Sequence, residues 1–281
     1  MSYDFVRVIR AASPQETARM GSAELRAHYL ADGLHVPGEI RLALWEPDRT
    51  VVGYAVPAGE ALPLVAPAGL GAEFFCQRRE LGIVNQGGTG SVTVDGVRWE
   101  LAHGDAAYVG RGAREVAFSS ANAAEPAAFA LASYPAHASH PSRHLPASGA
   151  QAVRAGESAT ANARTLRKFV APGLCDSAQL LMGTTRLDEG CVWNTWKPHR
   201  HARRTEAYFY HGLPAGGTVV HLLGEPDETR HVLVRDFQIA LSPSWSIHSG
   251  CGTGAYGFAW AMGGENLDGA DMVPVDPAGM R

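Results

Sequence analysis

The chain is poor in charge and in cysteine, and each shortage narrows what it can be. Charged residues make up 19% of its 281 positions and the formal net charge is only -4, where soluble domains ordinarily carry roughly 25% charged residues. No broad basic field exists to draw in nucleic acid or an anionic membrane, so an anionic ligand would have to meet local Arg or Lys. The four cysteines, Cys76, Cys175, Cys191 and Cys251, form no C-x-x-C pair and are too few to staple a chain of this length. They read as reduced thiols. No run reaches the roughly 18 apolar residues of a membrane span. The opening "MSYDFVRVIR" is broken by Asp4, Arg7 and Arg10 and has no signal-peptide core. A soluble, cytoplasmic protein without nucleic-acid or membrane partners is expected. No G-x-G-x-x-G between a strand and a helix offers a flavin or nicotinamide site.

What the chain has in quantity is Gly (32) and Pro (17), which favour short strands joined by many turns. Ser13-Pro14-Gln15-Glu16 and "SAELRAHYL" give helix starts, the second with Leu25 and Tyr29 one turn apart, so a short N-terminal helical arm is predicted. From Ile40 onward the texture is short apolar runs cut by turns. "VTVDGVRWEL" is a hairpin with Asp95-Gly96 at its tip. The Pro-, Ala- and Ser-rich stretch 135–163 reads as a linker, with His137, His140 and His144 lacking any fixed geometry around them. The length suits two domains of about 120 to 140 residues, placed at 1–145 and 146–281. Their texture repeats. Glu80 and Glu206 are each followed by a Gly after six or seven residues and then by a hairpin, which suggests an internal duplication.

The chemistry gathers in "VWNTWKPHRHARRTEAYFYHG". His199 and His201, two apart on a strand, point the same way. Glu206 lies an odd five positions beyond His201, so the polar "ARRT" must be a connection, with Glu206, Tyr208 and Tyr210 on one face of the following strand. A surface hairpin with Glu206 paired to Arg203 or Arg204 is the plain alternative. "PSWSIH" then returns His248 late in the same half.

These residues resemble the cupin family, double-sheet jelly-roll barrels. The His-x-His pair, the Glu after four residues and the later His match its two motifs, although Gly190 stands too far from His199 and Trp245 and Gly252 replace the family's Gly and Asn. The resemblance implies a mainly β fold of two cupin barrels in tandem, with His199, His201, Glu206 and His248 as metal ligands. The first half keeps Gly104, Gly110 and Gly112 but carries Glu115 where the His would stand, implying a barrel without metal.

A closer resemblance, carried by "RRELGIVNQGG", "GDAAYVG", "PDETRH", "SPSWSIHSG", "GGEN" and Asp271-Met272, is to the 5-keto-4-deoxyuronate isomerase family. Trp196-Lys197-Pro198 and Thr205 depart from its usual residues. That family consists of zinc-binding bicupins, usually hexameric, that act in bacterial pectin breakdown. It implies one Zn2+ per chain, a homo-oligomer, an anionic 4-deoxy uronate as substrate, and a ketol isomerisation of 5-dehydro-4-deoxy-D-glucuronate to 3-deoxy-D-glycero-2,5-hexodiulosonate. Such a reaction moves a proton between adjacent carbons, and a Lewis acid with an open position suits it. Tyr208, Glu228 and His231 are the candidates for the proton shuttle. Arg164, Lys168, Arg204 and Arg230 are the candidates for the substrate carboxylate. The same ligand set also suits an Fe(II) or Mn(II) oxidoreductase, and a sugar-binding cupin without turnover is the third reading.

Overall fold

The computed structural model describes residues 4–265 and 271–281, so Asn266 of the "GGEN" stretch lies outside the described residues. The expected arm is present. Ser13 caps the helix Pro14–Thr17 and takes part in a reciprocal capping box with Glu16, and the helix Ser22–Tyr29 buries Leu25 and Tyr29, the pair that its spacing selected. Among the described residues the remaining regular elements are strands, arranged in two seven-stranded sheets and two smaller ones, and short 3-10 turns. None of the described helices is long and apolar enough to cross a membrane.

The chain divides into two compact units, one made of the residues up to Val8, Gly33–Gln151 and Phe169–Met182, the other of Ile9–Asp32, Ala152–Lys168 and Gly183–Arg281. The division differs from a cut at residue 145 in three ways: the helical arm belongs to the second unit, and both 146–151 and 169–182 belong to the first. The 135–163 stretch is also more ordered than a linker. Arg143–Leu145 pairs antiparallel with Ala106–Val109, and His144 stacks on Trp99 with ring centroids 6.5 Å apart. A three-residue edge strand is too short to raise a period-2 signal above a Pro- and Ser-rich background.

In the first unit, Glu39–Trp45, Thr50–Val56, Phe129–Pro135, Arg79–Asn85 and Ala106–Val109 lie side by side, and a four-stranded sheet of Leu62–Pro63, Val116–Ser120, Gly90–Val94 and Val97–Leu101 completes it. Gly90–Val94 and Val97–Leu101 are the predicted hairpin, with Asp95 and Gly96 at φ 46° and 82°, the left-handed pair that a tight primed turn requires. Leu81, Ile83, Phe129 and Leu131 from the larger sheet meet Val92, Leu101 and Phe118 from the smaller one in a single apolar core. At roughly 1.5–3 kcal/mol per large side chain withdrawn from water, this core is the main source of the unit's cohesion.

The duplication is visible in the strand order, but with a shift of register. Leu81 pairs with Val109, the last residue of its strand, just as Glu206 pairs with Ser242, the last residue of its own. Leu81, an apolar core residue, is therefore the counterpart of Glu206. Glu80 is one residue out and faces the other way. Its carboxylate is fully buried and accepts the backbone N–H of Ala178 at 2.7 Å, of Gln179 and Leu180 at 2.8 Å each, and the Tyr108 hydroxyl at 2.7 Å. It is the anchor of the segment 169–182 within its unit. Glu80→Gln turns one of these acceptor oxygens into a donor, at a cost of about 1–3 kcal/mol in buried, mismatched groups. The amides of 178–180 should then exchange about tenfold to a hundredfold faster in hydrogen-exchange measurements. Unchanged protection would show that Glu80 does not pin them.

Candidate metal centre

The second unit has a larger sheet in which Gly257–Gly264, Arg204–His211, Ile239–Ser242 and Leu30–Ala31 are neighbours. Its smaller sheet runs in the order Glu228–Val234, Val219–Glu225, His248–Gly252, Trp193–His201, Met272–Pro274. Where the first unit has an apolar interior, this one is lined with histidine, tyrosine and asparagine.

Strand alternation alone does not bring the histidines inside. Asn194 points inward, fully buried, opposite Gly250, and Gly250 has no side chain because a Cβ there would stand 2.7 Å from Asn194 Nδ2 and 2.9 Å from the Tyr210 hydroxyl. Unbroken alternation from Asn194 would send His199 and His201 outward. Instead the register shifts between Asn194 and His199, with Thr195 at φ 49°, and the parity of the strand is reversed. His199 now lies opposite His248. Glu206 enters from the facing strand Arg204–His211 after a connection at 202–203, so Arg204 and Thr205 of the expected connection already belong to that strand.

The result is a cluster in which one donor atom each from His199, His201, Glu206 and His248 lies within 4.8 Å of all the others. His199 Nε2 and His248 Nε2 are 3.0 Å apart, His248 Nε2 and Glu206 Oε2 3.2 Å, and His201 Nε2 and Glu206 Oε2 3.4 Å. Donors held about 2.1 Å from one ion stand about 3.0 Å apart at right angles and about 3.4 Å apart at the tetrahedral angle. The spacing therefore fits a divalent metal. Satisfaction of polar groups agrees, since His201 Nε2 and Glu206 Oε2 are buried without a hydrogen-bond partner, an arrangement costly unless something else meets them. His201, Glu206 and His248 are 4%, 2% and 1% exposed, whereas His199 is half-buried. Of the four, His199 is the one that solvent reaches.

Around the cluster the structure separates the sequence candidates. Tyr208 is buried beside Glu206, with its ring centroid 5.5 Å from that of His248. Burial first, then the charge of Glu206, raises its hydroxyl pKa well above normal, while a hydrogen bond with Thr195 works the other way. Arg164 is half-buried and within electrostatic reach of His199 and Tyr208, with its Nη1 donating to Asn162 O at 2.8 Å. Lys168 lies four residues further along the same strand.

Arg204 is 3% exposed, and its guanidinium is forked onto Asp271. It is committed to holding the site rather than to meeting a substrate. Glu228, Arg230 and His231 occupy the far edge strand, separated from the His248 strand by Val219–Glu225. Glu228 is paired with Arg230 at 2.6 Å, and His231 is exposed. None of the three is at the cluster. "PDETRH" offered a base only because sequence order does not show which edge a strand takes.

Sequence reasoning missed a buried polar layer that shares the interior. His221 Nδ1 is 2.8 Å from the Tyr210 hydroxyl and its Nε2 3.4 Å from Ser242 Oγ, while Asn194 Nδ2 donates to Tyr256 Oη at 2.7 Å. Alternation did place Tyr210 on the face of Glu206, but nothing local marks His221 or Tyr256. Burial lowers the His221 pKa to about 3. Burial, followed by the charges of His201, Arg164 and Arg204, lowers that of His199 to about 3. The unfolded chain protonates these rings below about pH 6.5, and the folded metal-free chain does so only near pH 3. Stability from this source is thus complete above about pH 6.5 and declines as pH falls toward 3. Denaturant unfolding of chelator-treated protein between pH 7 and 4 should show that decline, and His221→Gln should make it shallower. A midpoint independent of pH would contradict the burial of neutral imidazoles.

Residues 52–276 match the KduI/IolB family. The chain is 50% identical over 270 residues to the 4-deoxy-L-threo-5-hexosulose-uronate ketol-isomerase of Kineococcus radiotolerans, covering 94% of this chain and 97% of the relative. It is 44% identical over 271 residues to the protein of the same name from Lachnoclostridium phytofermentans, covering 96% and 98%. Among solved structures it resembles an IolB-like protein from Salmonella typhimurium, with a TM-score of 0.71 at 14% identity over 88% of this chain and 96% of the other. It also resembles oxalate decarboxylase from Bacillus subtilis, with a TM-score of 0.56 at 9% identity over 80% and 70%. At such identities the structural likenesses speak for the mainly β fold alone. The sequence matches, which span almost the whole chain, establish that the chain belongs to the KduI/IolB family.

Proposed function

We propose that this protein is a zinc-dependent ketol-isomerase that converts 5-dehydro-4-deoxy-D-glucuronate to 3-deoxy-D-glycero-2,5-hexodiulosonate, with His199, His201, Glu206 and His248 holding the metal. The observation that carries the reading is the convergence of three imidazoles and one carboxylate within 4.8 Å in a mostly buried setting, in a chain whose relatives bear that enzyme's name over nearly their full length. A divalent ion bound there would supply Lewis acidity toward a carbonyl and its neighbouring hydroxyl without redox change.

The protein's own groups do the rest. Arg164 is in electrostatic reach of both His199 and Tyr208, and a guanidinium stays charged at neutral pH. It is placed to hold the substrate carboxylate near the half-buried His199. Tyr208, its pKa raised by burial and by Glu206, keeps its proton at neutral pH, so it enters the reaction as a proton donor and, once it has given that proton to the substrate, takes back the one that leaves the neighbouring position, which restores it for the next turnover.

Proton NMR of the 4-deoxy uronate incubated with metal-assayed protein tests the reading. The isomer should form, at the same rate with and without oxygen and with zinc as the metal. A requirement for oxygen or for Fe(II) would replace the isomerase by an oxidoreductase, and binding without turnover would leave a sugar-binding protein. His248→Ala should lose most of the bound metal by elemental analysis. Tyr208→Phe should keep its metal and lose about a hundredfold to ten-thousandfold in kcat, the range for a positioned acid or base. Arg164→Ala should act chiefly on KM, by about tenfold to a hundredfold, as expected for one charged hydrogen-bonding partner.

A further inference from the structure

We propose that Asn162 is a positioning residue that holds Arg164 with its Nε–Nη2 edge turned to the substrate carboxylate. The inference rests on the assignment of Arg164 above and adds what aims it. A guanidinium carries five N–H donors in a fixed plane. Among the described residues Arg164 makes one hydrogen bond to the protein, from Nη1 to Asn162 O at 2.8 Å. Held there, it keeps the Nε–Nη2 edge for an anion. The same edge of Arg204 grips the Asp271 carboxylate, with Nε donating to Oδ2 at 3.1 Å and Nη2 donating to Oδ1, so this unit already shows which ligand chemistry fits it. Burial lowers the Arg164 pKa, as it does for a cation partly withdrawn from water, and such a group gains most from an anionic partner.

The carbonyl that receives Arg164 is fixed by a turn that the Asn162 side chain closes. Asn162 Oδ1 accepts from Glu157 N at 2.9 Å and lies 2.9 Å from Thr160 Oγ1, while Asn162 N donates to Glu157 O at 3.2 Å. On the other side Nδ2 donates to Trp196 O at 3.4 Å. Asn162 is buried although residues 156–160 of the same turn are exposed, so its amide serves the interior of the turn and not solvent. The turn is tied in addition to the start of the strand that brings in His199: Val192 N and Trp193 N both donate to Ala161 O, at 2.9 and 3.0 Å. Gly156 makes room for the arrangement. Its φ is 70°, and a Cβ there would overlap both Asn162 O and Asn162 Oδ1. The atom that receives Arg164 and the atom that closes the turn are thus the two that a side chain at 156 would displace.

The test is a double-mutant cycle on the metal-assayed full-length protein, with the 4-deoxy uronate as substrate and KM and kcat read separately. Asn162→Ala opens the turn and leaves Arg164 in the chain. KM should rise about threefold to tenfold, a part of what one charged hydrogen bond is worth, with kcat close to that of the wild type. In the Arg164→Ala background the same substitution should leave KM where Arg164→Ala alone puts it, because the group that Asn162 aims is gone. A merely structural role would raise KM, or lower kcat, equally in both backgrounds. Gly156→Ala acts on the same carbonyl from the other side, so it should reproduce the rise in KM and its dependence on Arg164, and it carries the test should Asn162→Ala fail to fold. An unchanged KM in Asn162→Ala, or equal increments with and without Arg164, would overturn the proposal and leave the isomerase standing. A wild-type KM in Arg164→Ala would overturn it too, by showing that Arg164 does not meet the carboxylate. If the wild-type protein forms no isomer at all, the functional reading falls and this inference with it.

Discussion

The second unit depends on one constraint: three imidazoles and a carboxylate meet in the interior of a β sandwich, where unsatisfied polar groups are costly. Such a group is stable only if its nitrogens stay neutral and its lone pairs find a partner. The structure meets the first condition by burial and by mutual repulsion of charge, which lower the pKa values of His199 and His248. The second points to a cation. Much of the unit is arranged around that demand: the register shift before His199, the missing side chain at Gly250, and the Arg204–Asp271 fork behind His201.

The first unit shows the same plan without the demand. Its positions equivalent to Glu206 and Tyr208 are Leu81 and Ile83, which belong to an apolar core cluster. The polar investment of this unit lies on the opposite face, in Glu80, which gathers three backbone N–H groups and a tyrosine. One strand pattern thus serves chemistry in one unit and anchoring in the other. What separates them is a single residue of register, because side chains on a strand alternate with a period of two.

For function, the arrangement concentrates responsibility in few groups. With Glu228, His231 and Arg230 on an outer edge strand and Arg204 held by Asp271, Tyr208 and Arg164 are candidates that act electrostatically at the cluster. One holds a proton that burial keeps in place, and the other carries a positive charge at the rim. That division suits an isomerase acting on an anionic sugar, which needs charge recognition at one end of its substrate and proton management at the other.

Local chemistry determined a good deal by itself. The helix caps at Ser13 and the Asp95-Gly96 turn follow from the backbone preferences of adjacent residues. The two-residue spacing of His199 and His201 and the polar break before Glu206 singled out three of the four residues that converge, and the family resemblance added His248. Tertiary structure decided what those residues do. Arg204 and Asp271 are 67 positions apart and Tyr210 and His221 belong to different sheets, so neither pairing leaves a trace in local spacing. The inward turn of His199 depends on a register shift opposite Gly250 and His248, about fifty residues away in sequence, since strand pairing is non-local. Face, edge and partner are set by which strands lie together, and that is fixed only when the sheets form.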